Sequence, residues 1–155
     1  NCFMETIYSN EIIKRLGISA QIDKCEIIFK VFLEESNIKI HDEMTLLKSI
    51  KIFLLREEKA VRASNKGSRI PNYDCLTLSI ITCALASRYG YEVSICRPNS
   101  LPRYFHSMIL RSNGVSFKIA GKSKHNGFKK LSIKSVVRRL TLLNALITPL
   151  EKIIA

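Results

Sequence analysis

Apolar side chains recur at three- and four-residue intervals through the N-terminal part of the chain, the spacing that gathers them on one face of an α-helix. Ile7, Ile12, Ile13 and Leu16 make such a face over residues 5–16, and Gly17 supplies a stop. From about Ala20 to Glu35 a wider stripe runs through Ile22, Cys25, Ile28, Phe29, Phe32 and Leu33, leaving Lys24, Lys30, Glu34 and Glu35 for solvent. A third helix is predicted from Asp42, a side chain suited to capping, through Met44, Leu47, Ile50, Phe53 and Leu54 to a polar end at Arg56-Glu57-Glu58-Lys59.

The stretch 64–72 then breaks the periodicity with loop formers and Pro71. From Cys75 to Tyr89 apolar residues fall on nearly all sides (Leu76, Leu78, Ile80, Ile81, Ala84, Leu85, Ala86), the pattern of a helix packed inside the domain, and Gly90 fits the position that ends it. Residues 91–96 and 104–111 read as strands, and Ser112-Asn113-Gly114 as the turn into a third over 115–120. Residues 121–130 read as a basic loop. Ser132 then caps a helix through Val136, Val137, Leu140, Leu143 and Leu146, bent or restarted at Pro149. The order is N-terminal helices, a buried helix bearing Cys75 at its start, a small antiparallel sheet and a C-terminal helix, an α+β arrangement. It is expected to form one domain over 1–155, with a helical part (1–63), a Cys-helix and strand core (73–121) and a C-terminal helix (132–155).

Composition narrows the setting. No run approaches the roughly 18 apolar residues of a membrane span, so no membrane partner is expected. The chain opens at Asn1 with no charged-then-apolar leader, and on that ground a cytoplasmic location is expected. Cys2, Cys25, Cys75, Cys83 and Cys96 form an odd set without C-x-x-C pairs, and the histidines are not spaced to complete a zinc site. Neither a disulfide framework nor a metal or other cofactor is implied. Cys25 and Cys83, among apolar neighbours, are expected in the core, Cys96 within a strand, and His41 and His125 in solvent.

Charge changes the picture further. Residues 1–96 carry 13 basic and 12 acidic side chains, whereas 97–155 carry 12 basic and one acidic. From Val93 to Leu150 no Asp or Glu occurs, which predicts an electropositive face able to concentrate anions. Its cations are Arg97, Arg103, Arg111, Lys118, Lys122, Lys124, Lys129, Lys130, Lys134, Arg138 and Arg139. Tyr104, Phe117 and Phe128 are interleaved with them, which suits stacking on single-stranded bases. No helix-turn-helix, RNP or zinc-finger pattern appears, so binding here would be directed at phosphates and salt-sensitive.

The chemistry that the pattern suggests lies in residues 73–106. A thiol at a helix start meets the positive end of the backbone dipole and unpaired N–H groups, which favour thiolate and supply donors for an oxyanion. His106, at the head of a following strand, is an imidazole able to pair with that thiol and to protonate a leaving amine. Asp74 beside Cys75 either caps the helix or, aimed at the sulfur, opposes its ionisation.

In this order and spacing the segment resembles the transglutaminase-like branch of the papain-like cysteine superfamily. The resemblance rests on Tyr73-Asp74-Cys75, Leu78 and Ser79, Leu85-Ala86 with Tyr89-Gly90, Val93, and Phe105-His106-Ser107-Met108-Ile109, over about residues 73–121. It implies acyl transfer from a peptide or amide through a thioester on Cys75, with His106 as general base and acid. It also implies an Asp or Asn on the strand after His106, yet Ala120 or Gly121 stands at that place, and Met108 replaces the aromatic two residues past the histidine. Three readings follow: Asn126 reaches back from the loop, the site works as a Cys-His dyad, or the fold is kept without catalysis.

Two functions are thus on the table. One is a cysteine-dependent hydrolase or acyltransferase acting on a peptide or protein substrate. The other is an inactive scaffold of the same kind that binds RNA, DNA or an acidic protein through its basic C-terminal third.

Overall fold

The computed structural model describes residues 7–64, 75–99, 107–119, 127–141 and 147–154. Three helices come first, α1 (Ile7–Leu16), α2 (Ser19–Glu35) and α3 (Glu43–Ser64), as the apolar stripes predict. The chain turns after α1 with the Ile18 N–H donating to Ile13 O, and enters α3 with Asp42 Oδ1 accepting the Thr45 N–H at 2.7 Å. That hydrogen bond holds the Asp42 carboxyl below its ordinary pKa. α3 continues to Ser64, past the polar end expected near Lys59, because Arg56 to Lys59 are all good helix formers and no breaker intervenes.

Helix α4 (Cys75–Arg88) is the spine of the domain: every residue from Leu76 to Ser87 is buried, while Cys75 at its head is half-buried. It packs against α1, α2 and α3 and against the sheet. Its hydroxyls are absorbed locally where they can be, with Thr82 Oγ1 donating to Leu78 O and Ser87 Oγ to Ala84 O, each at 2.7 Å. Gly90, at φ 81°, takes the left-handed conformation that lets the Tyr91 N–H fold back onto Ala86 O. Beside α4, Phe29 packs on Phe53 and on Tyr89 with ring centroids 5.2 and 5.8 Å apart.

The sheet has the order β3-β2-β1-β4, from β1 (Ser94–Pro98), β2 (Met108–Leu110), β3 (Ser116–Phe117) and β4 (Phe128–Lys130), with every pairing antiparallel. Ile95 faces Ile109 across β1 and β2. The hairpin read at Ser112-Asn113-Gly114 is present, closed by the Arg111 N–H on Val115 O at 2.9 Å. The strands are shorter than their sequence patterns suggested. The end of the segment expected to be a basic loop is instead strand β4, paired with β1 in the register Arg97↔Lys129. All three of its residues are exposed, so no alternation of buried and polar positions marked it as a strand.

The C-terminal part carries two described helices. Ser132 Oγ accepts the Ser135 N–H at 3.1 Å and opens α5 (Ile133–Thr141), which packs on α1. A separate α6 (Ile147–Ile154) packs on α2, with Pro149 as its third residue, where a missing N–H leaves no hydrogen bond unmade.

Candidate functional site

The thiol of Cys75 is reached by a backbone donor: the Ser107 N–H lies 3.2 Å from Sγ. Two elements produce this meeting. α4 carries no charged residue between Cys75 and Arg88 and is apolar on nearly all sides, and so is drawn into the core up to Cys75, leaving the sulfur at the boundary. β2 pairs with β1 from Met108 onward and lies against α4, so the residue just before the ladder has its N–H uncommitted and available to the helix start. A negative or lone-pair-rich sulfur at this point is stabilised by that donor and by the first N–H groups of the helix.

The surroundings are unusual for a buried boundary. Ser107 is 1 % exposed and Ser79, one turn along from Cys75, is 0 % exposed, yet neither hydroxyl meets a partner among the described residues. Buried hydroxyls without partners are costly and rare. A thiol, a directed amide and two hydroxyls without a partner among the described residues thus lie on converging elements at the edge of an apolar core.

His106 precedes Ser107 in the chain but lies outside the described residues, as do Asn126, Arg103, Tyr104, Lys122 and Lys124. The other described thiols are in the core as expected. Burial pushes Cys25 up to about 12, Cys96 up to about 11 and Cys83 well above its ordinary value, which leaves them protonated and unreactive. None of the four is in a disulfide. Among the described residues no group of three His, Cys, Asp or Glu side chains is placed to hold a metal.

Among the described residues, Arg111, Lys118 and Lys130 are drawn away from the rest of the basic set. Arg111 is turned to the N-terminus of α3, its Nε 3.0 Å from Glu43 Oε1, while Ser112 Oγ donates to Glu43 Oε2 at 2.6 Å. Lys130 lies with Nζ 4.9 Å above the Tyr8 ring. Phe117 is half-buried against the core, with Lys51 5.7 Å from its ring centre, and Lys118 is half-buried beside it. What remains together is Arg97 opposite Lys129 on the β1–β4 edge, and Lys134, Arg138 and Arg139 on α5. These three, with Ser132 and Ser135, line a concavity of about 350 Å³.

Sequence reasoning missed Glu43, Ser107 and Glu92. Glu43 draws Arg111 out of the basic set from 68 residues away, a pairing no local pattern announces. Glu92 Oε1 accepts the Ser9 N–H at 3.1 Å, and burial raises this carboxyl above its ordinary pKa. With Glu43, Tyr91 and Arg111 it lines a second concavity of about 370 Å³. No protein-family model, no curated protein and no solved structure matches this chain.

Proposed function

We propose that the chain is a thiol-dependent acyl-transfer enzyme of the transglutaminase-like kind, with Cys75 as nucleophile and His106 as its base. The observation that carries the reading is the Ser107 N–H at 3.2 Å from Cys75 Sγ. It brings the residue after the histidine to the sulfur, in the order the resemblance implies. In the reaction, Sγ forms a bond to the acyl carbon of an ester or amide while its proton passes to the His106 imidazole. The C–O or C–N bond then breaks as the imidazole returns that proton to the leaving group. Water adds to the thioester carbon, releasing a carboxylic acid and restoring the thiol; an amine in place of water gives transfer instead of hydrolysis. The N-terminal N–H groups of α4 are suited to receive the oxyanion.

The test uses iodoacetamide alkylation resolved by residue, together with a p-nitrophenyl ester as acyl donor. Cys75 is expected to alkylate fastest of the described thiols, and His106→Ala to slow it by about tenfold or more. The ester should release a burst of one equivalent of nitrophenolate that Cys75→Ala abolishes. An alkylation rate indifferent to His106→Ala, with no burst, would remove the proposal.

A further inference from the structure

The sulfur of Cys75 stands between two groups that its reduced form uses unequally. On one side is the Ser107 backbone N–H, directed at Sγ from 3.2 Å. On the other is Ser79, one turn along α4 from Cys75 and on the same face of the helix. Side chains of a helix lean towards its N-terminus, so the Ser79 hydroxyl is aimed along that face at the thiol. Ser79 is 0 % exposed, and its Oγ has no hydrogen-bond partner among the described residues, a costly state for a buried hydroxyl. Thr82 and Ser87 on the same helix escape that cost by donating back to Leu78 O and Ala84 O, whereas Ser79 does not. Cβ atoms one turn apart are separated by about 6 Å, a gap that an oxygen atom attached to Sγ would span.

We infer that Cys75 is a reversible peroxide-oxidation site, whose sulfenic acid is held by the Ser79 hydroxyl and closes onto the Ser107 backbone nitrogen as a sulfenamide. Hydrogen peroxide transfers one oxygen to Sγ as its O–O bond breaks and water leaves, so the thiol is oxidised and the peroxide reduced. The Ser107 nitrogen then bonds to Sγ while the S–O bond breaks, and the departing hydroxyl takes the amide proton away as a second water. Because the N–H already points at Sγ, the new S–N bond forms along an existing contact. A small thiol reverses it by attacking Sγ: the S–N bond breaks, the nitrogen regains a proton, and a second thiol releases Cys75 from the mixed disulfide. The other described thiols offer no competing disulfide partner. Cys25, Cys83 and Cys96 are buried and held protonated, and Cys83 stands about 12 Å along α4 from Cys75, beyond disulfide reach. Cys75 alone among them is half-buried, open to a molecule as small as a peroxide. The inference rests on the reactive thiol of the proposed function but not on acyl transfer.

The test is peptide mapping by mass spectrometry after the full chain is treated with a small molar excess of hydrogen peroxide and its remaining thiols are blocked with N-ethylmaleimide. Trypsin releases residues 70–88, which carry Cys75, and residues 104–111, which carry Ser107 and no cysteine. The expected product is these two peptides joined with the loss of two hydrogens, separated again by dithiothreitol and absent from Cys75→Ala. Ser107→Ala keeps the amide and should cross-link as wild type, whereas Ser107→Pro lacks the N–H and should pass to the sulfinic acid on Cys75. Ser79→Ala should shift the ratio of cross-link to sulfinic acid about fivefold towards the latter, the worth of one hydrogen bond to the sulfenic oxygen. Circular dichroism shows which variants are folded; should Ser107→Pro not be, the wild-type map and Ser79→Ala still decide. Two peptides that stay separate would overturn the inference, whether Cys75 is left as the sulfinic acid, joined to another cysteine or untouched, and so would an unchanged ratio in Ser79→Ala. A cross-link in a protein that gives no nitrophenolate burst upholds the inference and removes the acyl-transfer reading; a burst without a cross-link does the reverse.

Discussion

Ser107 donates its backbone N–H to Cys75 Sγ at 3.2 Å, while its own buried hydroxyl meets no partner among the described residues. The contact therefore depends on the path of the chain and not on the serine side chain. Ser107→Ala keeps the donor and removes an unsatisfied hydroxyl, a change that is neutral to stabilising. The expected outcome is an iodoacetamide rate at Cys75 within about twofold of wild type and a Tm unchanged or raised by about 2–4 °C. A fall in Tm would show that the hydroxyl is satisfied in solution, and a slowed alkylation that it serves the sulfur.

The thiols divide by burial, and that division has a pH signature. Burial raises Cys25 to about 12 and Cys96 to about 11 from an ordinary value of 9.0, and raises Tyr8 as well. Below pH 9 these groups are protonated in both folded and unfolded chains and stability is at its full value. Between pH 9 and about 11 the unfolded chain ionises while the folded one does not, so the unfolded state binds fewer protons and stability falls with pH. The Tm is expected to drop by several degrees across that interval, and Cys96→Ala should flatten part of the drop. A Tm constant from pH 8 to 11 would show that these groups ionise in the folded protein.

Arg111 belongs to the fold, although its place in the acid-free segment put it among the candidate anion-binding cations. Its side chain is 18 % exposed and that of Glu43 10 %, so the pair lies mostly out of water. Removing the guanidinium leaves Glu43 with Ser112 as its remaining hydrogen-bond partner and costs about 2 kcal/mol, allowing for the residual exposure. Arg111→Met should thus lower the Tm by about 4–8 °C. The double variant Arg111→Met/Glu43→Gln should recover much of the loss, since the uncompensated charge is then gone. An unchanged Tm in Arg111→Met would show that the pair adds nothing to stability.

What the sequence made legible is what short-range periodicity and capping control. The stripe through Ile22, Cys25, Phe29, Phe32 and Leu33 is buried, Asp42 and Ser132 cap as their positions suggested, and α4 is buried as its apolar residues on nearly all sides required. Strand β4 was not legible because Phe128, Lys129 and Lys130 are all exposed: its pairing rests on backbone hydrogen bonds to β1, which leave no hydrophobic trace. The division of the basic set was equally hidden. Arg111 and Lys130 are claimed by Glu43 and Tyr8, partners that only tertiary contact brings near. The placement of the Ser107 N–H at Cys75 sits between these cases, since the order of helix and strand implied proximity but not which atom would face the sulfur.

Gly127 fixes where β4 begins, and its substitution separates two costs that often travel together. Its φ is +79°, and a Cβ there would fall 2.7 Å from Asn99 Nδ2, while the Asn99 backbone N–H donates to Gly127 O at 3.3 Å. The Asn99 side chain is exposed and free to swing aside, so the clash is cheap, whereas the left-handed backbone costs an alanine about 1 to 2 kcal/mol. Gly127→Ala should lower the Tm by about 2–8 °C. Asn99→Ala added to Gly127→Ala should restore little of that stability, because the strain is in the backbone. Full recovery in the double variant would show instead that the Asn99 side chain is held in place and that the crowding, not φ, sets the cost.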